Sequence, residues 1–250
     1  MCSPLEQFSL IPVLPISFGN AVVLSFSNAT VFTLVSMGLV LASVKLSLGR
    51  GFSRVFPLGW QTLWECFYEF IDGMCREQLG GFRRRFITSI FAIFTLLISL
   101  NLFGLLPYSF TVTSQLSITL SFSSGLFIGI TLFGIRRHGL HFFSFFLPAG
   151  APIALAPLLV LIEIVSYGFR AISLGVRLFA NITAGHTLLK ILSGFTWTML
   201  GAGGVLSLLA PAPLALVLVI TGLEVAVALL QAYVFSILVC VYLNDAINLH

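Results

Sequence analysis

The sequence predicts an all-α integral membrane protein with three spanning helices, one interfacial amphipathic helix and a C-terminal hairpin of two long, steeply tilted membrane helices. Of its 250 residues, 58% are hydrophobic and 8% are charged, and the mean hydropathy is +1.11. Soluble domains carry about 25% charged residues. A chain with so few charges has to face lipid, and its scattered net charge of +4 gives no basis for binding nucleic acid.

Long apolar runs predict the three spans, at residues 21–46, 86–106 and 115–135. An α-helix needs roughly 20 apolar residues to cross the hydrocarbon core. Loops rich in Lys and Arg stay on the side from which insertion proceeds. Basic clusters follow the first span, precede the second and follow the third, so all three share one side when the N-terminus lies on the other. The clusters are Lys45 with Arg50 and Arg54, Arg83 to Arg85, and Arg136 with Arg137 and His138.

Residues 58–80 are predicted to form an amphipathic helix at the membrane interface. Apolar and polar side chains recur at helical spacing, so that each kind takes one side of the helix. Trp60 and Trp64 suit the headgroup layer, because the indole ring is apolar and its N–H can bond to water or to headgroups. A small helix packed in a protein core is the alternative.

The final part of the chain is predicted to form a hairpin of two long helices, at residues 157–195 and 213–243, joined by a loop rich in Gly and Pro. A helix of about 35 residues is roughly 50 Å long at 1.5 Å per residue. The hydrocarbon core is only about 30 Å thick. Each helix must therefore tilt steeply or lie partly in the membrane plane.

The predicted hairpin differs from the spans because it contains several ionisable residues. A charge near the bilayer centre costs at least about 2.5–3.5 kcal/mol, so it is rarely retained without a function. Arg170 and Lys190 could simply extend to the interface, and Glu163 could be a structural partner of Arg170. The ionisable residues are Glu163, Arg170, Arg177, His186, Lys190 and Glu224.

Spacing sorts these residues onto two faces of the first hairpin helix. Glu163, Arg170 and Arg177 follow one another at intervals of seven, which places them along one stripe, and Asn181 comes four residues after Arg177. His186 comes nine residues after Arg177, which places it about 180° round the helix from Arg177. Polar groups on two faces predict two separate hydrated compartments rather than one pore.

These residue types indicate proton handling. Arginine stays protonated in proteins, so Arg177 cannot relay a proton but can attract a carboxylate and block proton passage. Histidine and glutamate can exchange protons near neutral pH once burial shifts them. The sequence has no second acidic array that could act as a moving carrier, which implies a partner.

Other classes of protein are less well matched. The sequence has no GxxxxGK[ST] run, so phosphoryl chemistry is not expected on this chain, and no cofactor is expected. The four cysteines lack the spacing of a metal site. A secondary transporter or ion channel stays open as an alternative, although such folds often show repeats and broken helices, and neither is visible here. A purely structural membrane subunit is the second alternative.

Several distinctive runs occur along the chain, which are Ser173–Asn181 (SLGVRLFAN) with Ala184–His186 (AGH), Leu230–Phe235 (LQAYVF) and Asn101–Tyr108 (NLFGLLPY). These runs resemble the signatures of subunit a of F-type ATP synthases, and the resemblance covers essentially the whole chain. The start, Ser3–Phe8, is similar to that of mitochondrial and alphaproteobacterial members, and the C-terminal third looks like plant or green-algal versions.

The resemblance implies a channel of two offset half-paths for protons. Arg177 would be the essential arginine that faces a ring of c-subunits and blocks proton leak, and Gln231 would help to hold it. His186 and Glu224 would line the access path from the intermembrane space. Many bacterial members place this carboxylate and imidazole the other way round, and the exchange keeps one acid and one histidine.

The release path to the matrix would be lined by Glu163, Ser173 and Asn181. The resemblance also implies the partners, which are a ring of c-subunits with an essential carboxylate, other stator subunits of the membrane sector, and the lipid bilayer. It implies a multi-pass protein of the mitochondrial inner membrane, with the N-terminus toward the intermembrane space and the C-terminus toward the matrix. A bacterial plasma membrane is the alternative.

Overall fold

The computed structural model describes residues 6–18, 22–48, 59–106, 109–139, 142, 156–204 and 209–247. Within this part of the chain, five helices are long and apolar enough to cross a membrane, and these are all the helices below except α2. The predicted all-α membrane fold is confirmed. The helices are α1 (Asn28–Leu48), α2 (Gly59–Leu79), α3 (Arg83–Gly104), α4 (Leu116–His138), α5 (Ala156–Ala202) and α6 (Pro211–Ile247).

The first helix begins later than the predicted span at 21–46, because a short antiparallel hairpin precedes it. Strand β1 (Pro12–Phe18) pairs with β2 (Val22–Ser27), with an irregularity near Pro12. Apolar and serine residues alternate along the end of β2, which is the period of a strand rather than of a helix. Asn28 then starts α1, and its Oδ1 accepts a hydrogen bond from the backbone N–H of Ala29 at 3.0 Å.

The ends of the other membrane helices are set by glycine and proline rather than by the limits of the uncharged runs. Helix α4 continues to His138 and α5 to Ala202, and each is followed by a glycine with positive φ, Gly139 at 58° and Gly203 at 66°. Such a conformation ends a helix and favours glycine. Helix α6 begins at Pro211, where the missing N–H of proline is no loss.

Helix α2 is the amphipathic helix that the sequence predicts, and it packs one side against α3. The aromatic rings of Trp64 and Phe91 are 6.2 Å apart between centroids, and those of Phe67 and Phe94 are 6.0 Å apart. Trp60 is exposed. A position at the membrane interface stays a prediction. The buried residues of α2 are Ile71, Met74, Cys75 and Leu79.

The chain divides into two compact units, each built from three segments. The first unit comprises Met1–Leu46, Thr95–Gln115 and Leu178–Ala232, and the second comprises Ser47–Phe94, Leu116–Arg177 and Tyr233–His250. In the first unit, the later part of α5 meets the earlier part of α6. In the second, the earlier part of α5 meets the later part of α6. Each unit therefore contains a contact between the two long helices.

In the second unit, α4 and α5 approach closely through small and hydroxyl residues. The buried Ser123 donates a hydrogen bond of 2.6 Å to the backbone carbonyl of Ala171. A Cβ atom on Gly175 would lie 3.0 Å from the carbonyl oxygen of Thr119. Small residues let helix backbones approach in a membrane, which gives the glycine of the SLGVRLFAN run a packing role.

Candidate functional site

An acid and an imidazole meet in the first unit, between α5 and α6. Nε2 of His186 lies 3.5 Å from Oε1 of Glu224, and the two side chains are 17% and 3% exposed. The sequence places these residues 38 positions apart (224 − 186). The packing of α5 against α6 in this unit brings together the two residues that the resemblance assigns to the access path.

The pair has unused capacity for hydrogen bonding. Their separation falls within ion-pair range, but Nε2 of His186 and both carboxylate oxygens of Glu224 have no hydrogen-bond partner among the described residues. Leaving a buried polar atom unpaired costs roughly 1–3 kcal/mol. Because both side chains line a cavity, water can satisfy these atoms there.

A glycine allows the carboxylate to reach this position. Gly185 precedes His186 on α5, and a Cβ atom built on it would lie 2.7 Å from Oε1 and 3.0 Å from Cδ of Glu224. Real Cβ atoms essentially never come closer than 3.0 Å to another heavy atom. A side chain at this position would therefore displace the carboxylate.

A cavity of about 800 Å³ in the first unit contains both members of the pair. Its wall carries hydroxyl groups and one lysine, Lys190, besides the pair itself. The cavity has room for several water molecules, each of which occupies about 30 Å³ in the liquid. The lining residues are Gln7, Phe32, Gly104, Leu105, Leu106, Ser109, Phe110, Thr111, His186, Leu189, Lys190, Ser193, Val217, Thr221 and Glu224.

A second ionic cluster lies in the second unit, around Arg170. One guanidinium nitrogen is 3.7 Å from Oε1 of Glu163, and the other is 3.9 Å from Oδ2 of Asp245. The Arg170 guanidinium also lies 5.8 Å from the ring centre of Tyr242, a distance that permits a cation–π interaction. These ionic side chains are about one-third exposed. Arg170 thus neutralises two carboxylates, one of which is the predicted release-path residue Glu163.

Asp245 belongs to this cluster, although it is absent from the predicted site residues. In the sequence it stands at the end of an apolar helix, where an acidic residue is unremarkable. Its spacing gives no sign of Arg170, because the register between two helices does not follow from the periodicity of either. The one signal in the sequence is that Asp245 is an acidic residue close to the end of the last predicted helix.

The remaining predicted residues occupy several positions on the two long helices. Arg177 and Ser173 are exposed on α5, and Arg177 forms no salt bridge with a carboxylate in the described part of the chain. Asn181 is half-buried on α5, and Gln231 is buried on α6. The structure therefore brings together His186 with Glu224, and Glu163 with Arg170.

The fold and these sites define a class, which is a multi-pass helical membrane protein with ionisable side chains placed inside its two longest membrane helices. The family profile of the ATP synthase A chain matches residues 30–244. The chain is 54% identical to ATP synthase subunit a of Marchantia polymorpha, over 100% of this chain and 99% of that protein. It is 52% identical to the subunit a of Oenothera berteroana, over 99% and 90% of the two chains.

A third relative, ATP synthase subunit a of Brassica napus, is 51% identical over 99% of this chain and 97% of its own length. The chain belongs to the ATP synthase A chain family, the membrane-sector subunit of F-type ATP synthases. The predicted resemblance to this family, and to its plant members, is confirmed.

Proposed function

We propose that this chain forms two offset proton half-paths beside a rotating ring of c-subunits, and that it couples proton translocation to rotation and ATP synthesis. The observation that carries the proposal is the buried pair of His186 and Glu224, 3.5 Å apart in a cavity of the first unit. Both side chains can bind and release a proton. A proton that enters the cavity could pass through this pair to a carboxylate on a c-subunit.

The second half-path would release protons through Glu163, with Ser173 and Asn181 on the same helix. Glu163 supports this role because its carboxylate is partly exposed rather than enclosed by the described residues. A c-subunit carboxylate that has lost its proton to this path would be charged. It could not turn into lipid in that state, because a buried charge is costly there.

Arg177 would separate the two half-paths. Its position on the exposed side of α5, without a salt bridge to a described carboxylate, leaves its charge free to attract the carboxylate of a partner. Because arginine does not give up its proton, a proton could not hop directly from one path to the other. Gln231 would assist Arg177. Each charge that crosses 100 mV releases about 2.3 kcal/mol, and a leak would waste that energy.

The proposal implies a location and an arrangement of the chain. The chain would lie in the mitochondrial inner membrane with its N-terminus toward the intermembrane space and its C-terminus toward the matrix, beside the c-ring and other stator subunits. The 47 residues of α5 correspond to about 70 Å of helix. Such a length supports a steep tilt of α5 across the membrane.

The test replaces Glu224 by glutamine, which keeps the size of the side chain and removes its ability to take up a proton. We expect assembled complexes with Glu224→Gln to lose proton-driven ATP synthesis. Glu69→Gln is the matched control, because Glu69 is an exposed acid on α2 outside the cavity. Synthesis is measured in reconstituted vesicles with an imposed pH difference. Undiminished synthesis in the Glu224 variant would overturn the access path.

A second variant tests the separation of the two paths. We expect Arg177→Ala to abolish synthesis and to allow passive proton flow through the assembled membrane sector, whereas Arg76→Ala on the surface of α2 should change neither. A purely structural subunit would tolerate Arg177→Ala. A secondary transporter would move its solute when reconstituted alone, whereas this proposal requires c-subunits for coupled transport.

A further inference from the structure

The N-terminal turn of the chain contacts the acid–imidazole pair of the first unit. Glu6–Phe8 form a 3-10 turn. The ring of Phe8 meets the imidazole of His186 edge to face, with centroids 6.4 Å apart and planes at 74°. Aromatic rings prefer this edge-to-face geometry to a face-to-face sandwich. The neighbouring residue, Gln7, lines the cavity.

This turn is held in place from two directions. Nε2 of Gln115, just before α4, donates a hydrogen bond of 2.6 Å to the backbone carbonyl of Phe8 across 107 positions of sequence. On the other side, Nδ2 of Asn28 donates to the carbonyl of Ser9 at 3.2 Å, and the N–H of Asn28 donates to the carbonyl of Ile11 at 3.1 Å. Terminal segments are usually poorly ordered unless they are tied down.

A ring packed edge to face against an imidazole restricts the rotation of that imidazole, and Nε2 of His186 lies 3.5 Å from Oε1 of Glu224. We propose that Phe8 is a positioning residue for His186. The turn Glu6–Phe8 contributes to the wall of the cavity through Gln7, the Phe8 ring holds the imidazole toward Glu224, and Gln115 anchors the turn. The effect on proton transfer rests on the proposed function, whereas the closure of the cavity does not.

Closure of the cavity is tested by the reactivity of a cysteine placed inside it. Thr111 lines the cavity and is buried, so Thr111→Cys introduces a small probe of nearly the same size. The purified complex is treated with N-ethylmaleimide, and labelling of residue 111 is followed by mass spectrometry, with the exposed Cys66 as the internal reference. We expect Phe8→Ala and Gln115→Leu each to raise the labelling rate several-fold. Phe26→Ala, which removes an exposed ring from β2, should leave it unchanged.

Positioning of the imidazole is tested by two replacements that fill the same space. Phe8→Tyr keeps an aromatic ring, whereas Phe8→Leu keeps bulk without a ring. We expect both to keep the labelling rate near that of the unmodified chain. Proton-driven ATP synthesis should stay high in Phe8→Tyr and fall in Phe8→Leu. If Phe8→Ala fails to assemble, Gln115→Leu and Phe8→Leu still carry the test.

Two results would overturn the proposal. Unchanged labelling in Gln115→Leu and Phe8→Ala would show that the turn does not close the cavity. Equal synthesis in Phe8→Leu and Phe8→Tyr would show that Phe8 only fills space. Failure of the proposed function is distinguishable from both, since it would appear as undiminished synthesis in Glu224→Gln, whatever the labelling rates are.

Discussion

Gly185 and Glu224 are matched across the packing of α5 and α6, because the carboxylate occupies the space that any larger side chain at residue 185 would need. A Cβ atom on Gly185 would lie 2.7 Å from Oε1, 3.0 Å from Cδ and 3.2 Å from Cγ of Glu224. The same carboxylate oxygen is the one that faces His186. The glycine of the AGH run therefore sets the distance within the acid–imidazole pair.

Gly185→Ala is expected to lower proton-driven ATP synthesis without preventing assembly. The added methyl group pushes the flexible carboxylate of Glu224 away from His186, while alanine itself favours the helix by about 1 kcal/mol over glycine. Synthesis in reconstituted vesicles is the measurement. Gly194→Ala is the matched control, since Gly194 lies on the same helix with nothing within 4 Å of its added Cβ. Equal synthesis in the two variants would contradict this role of Gly185.

Ser123→Ala is expected to reduce the stability of the second unit. Ser123 joins α4 to the backbone of α5 at Ala171 by a buried hydrogen bond, and such bonds between membrane helices contribute about 0.6 kcal/mol on average and up to about 1.7. Ser124→Ala is the control, because Ser124 is exposed and, among the described residues, donates its hydrogen bond within its own helix, to the carbonyl of Ser121. The unfolding temperature of the purified complex should fall for Ser123→Ala alone. An equal fall in both variants would rule out a specific bond between α4 and α5.

Arg170→Met is expected to lower the unfolding temperature of the complex more than either Glu163→Gln or Asp245→Asn. One guanidinium serves both carboxylates, so its loss removes two ion pairs and leaves two negative charges close together. Because the side chains are about one-third exposed, solvent screening limits each pair to about 0.2–1 kcal/mol.

Arg170→Lys keeps the charge and should recover part of the loss. High salt should reduce the differences among these variants, since salt screens partly exposed charges. If Arg170→Met proved as stable as the unmodified chain at low salt, the ionic cluster would have no structural role.

The membrane helices could be predicted from the sequence because length and hydropathy define them directly. An uncharged run of about 20 residues has few alternatives to a membrane helix. The hairpin before α1 cannot be predicted in this way, because over a few residues an apolar run is equally compatible with a strand. The predicted first span therefore includes residues 22–27, whereas the structure places them in β2.

The site residues also divide into those that the sequence indicates and those that only the structure reveals. The rarity of charges in membrane helices pointed to His186 and Glu224 as functional residues, and only the resemblance assigned them to one path. The contacts of Phe8 with His186 and of Asp245 with Arg170 could not be predicted. Each joins segments far apart in sequence, and such pairings depend on the register of packed helices rather than on any local pattern.

The most direct test of the central claim exchanges the two members of the buried pair. If a proton passes between one acid and one imidazole 3.5 Å apart, their order should matter less than the presence of both. Proton-driven ATP synthesis is measured in assembled complexes that carry His186→Glu, Glu224→His or both changes. Each single variant is expected to be inactive, and the double variant is expected to recover a substantial part of the rate. A double variant as inactive as the single ones, with the complex assembled, would contradict a shared proton site, and so would single variants that keep full activity.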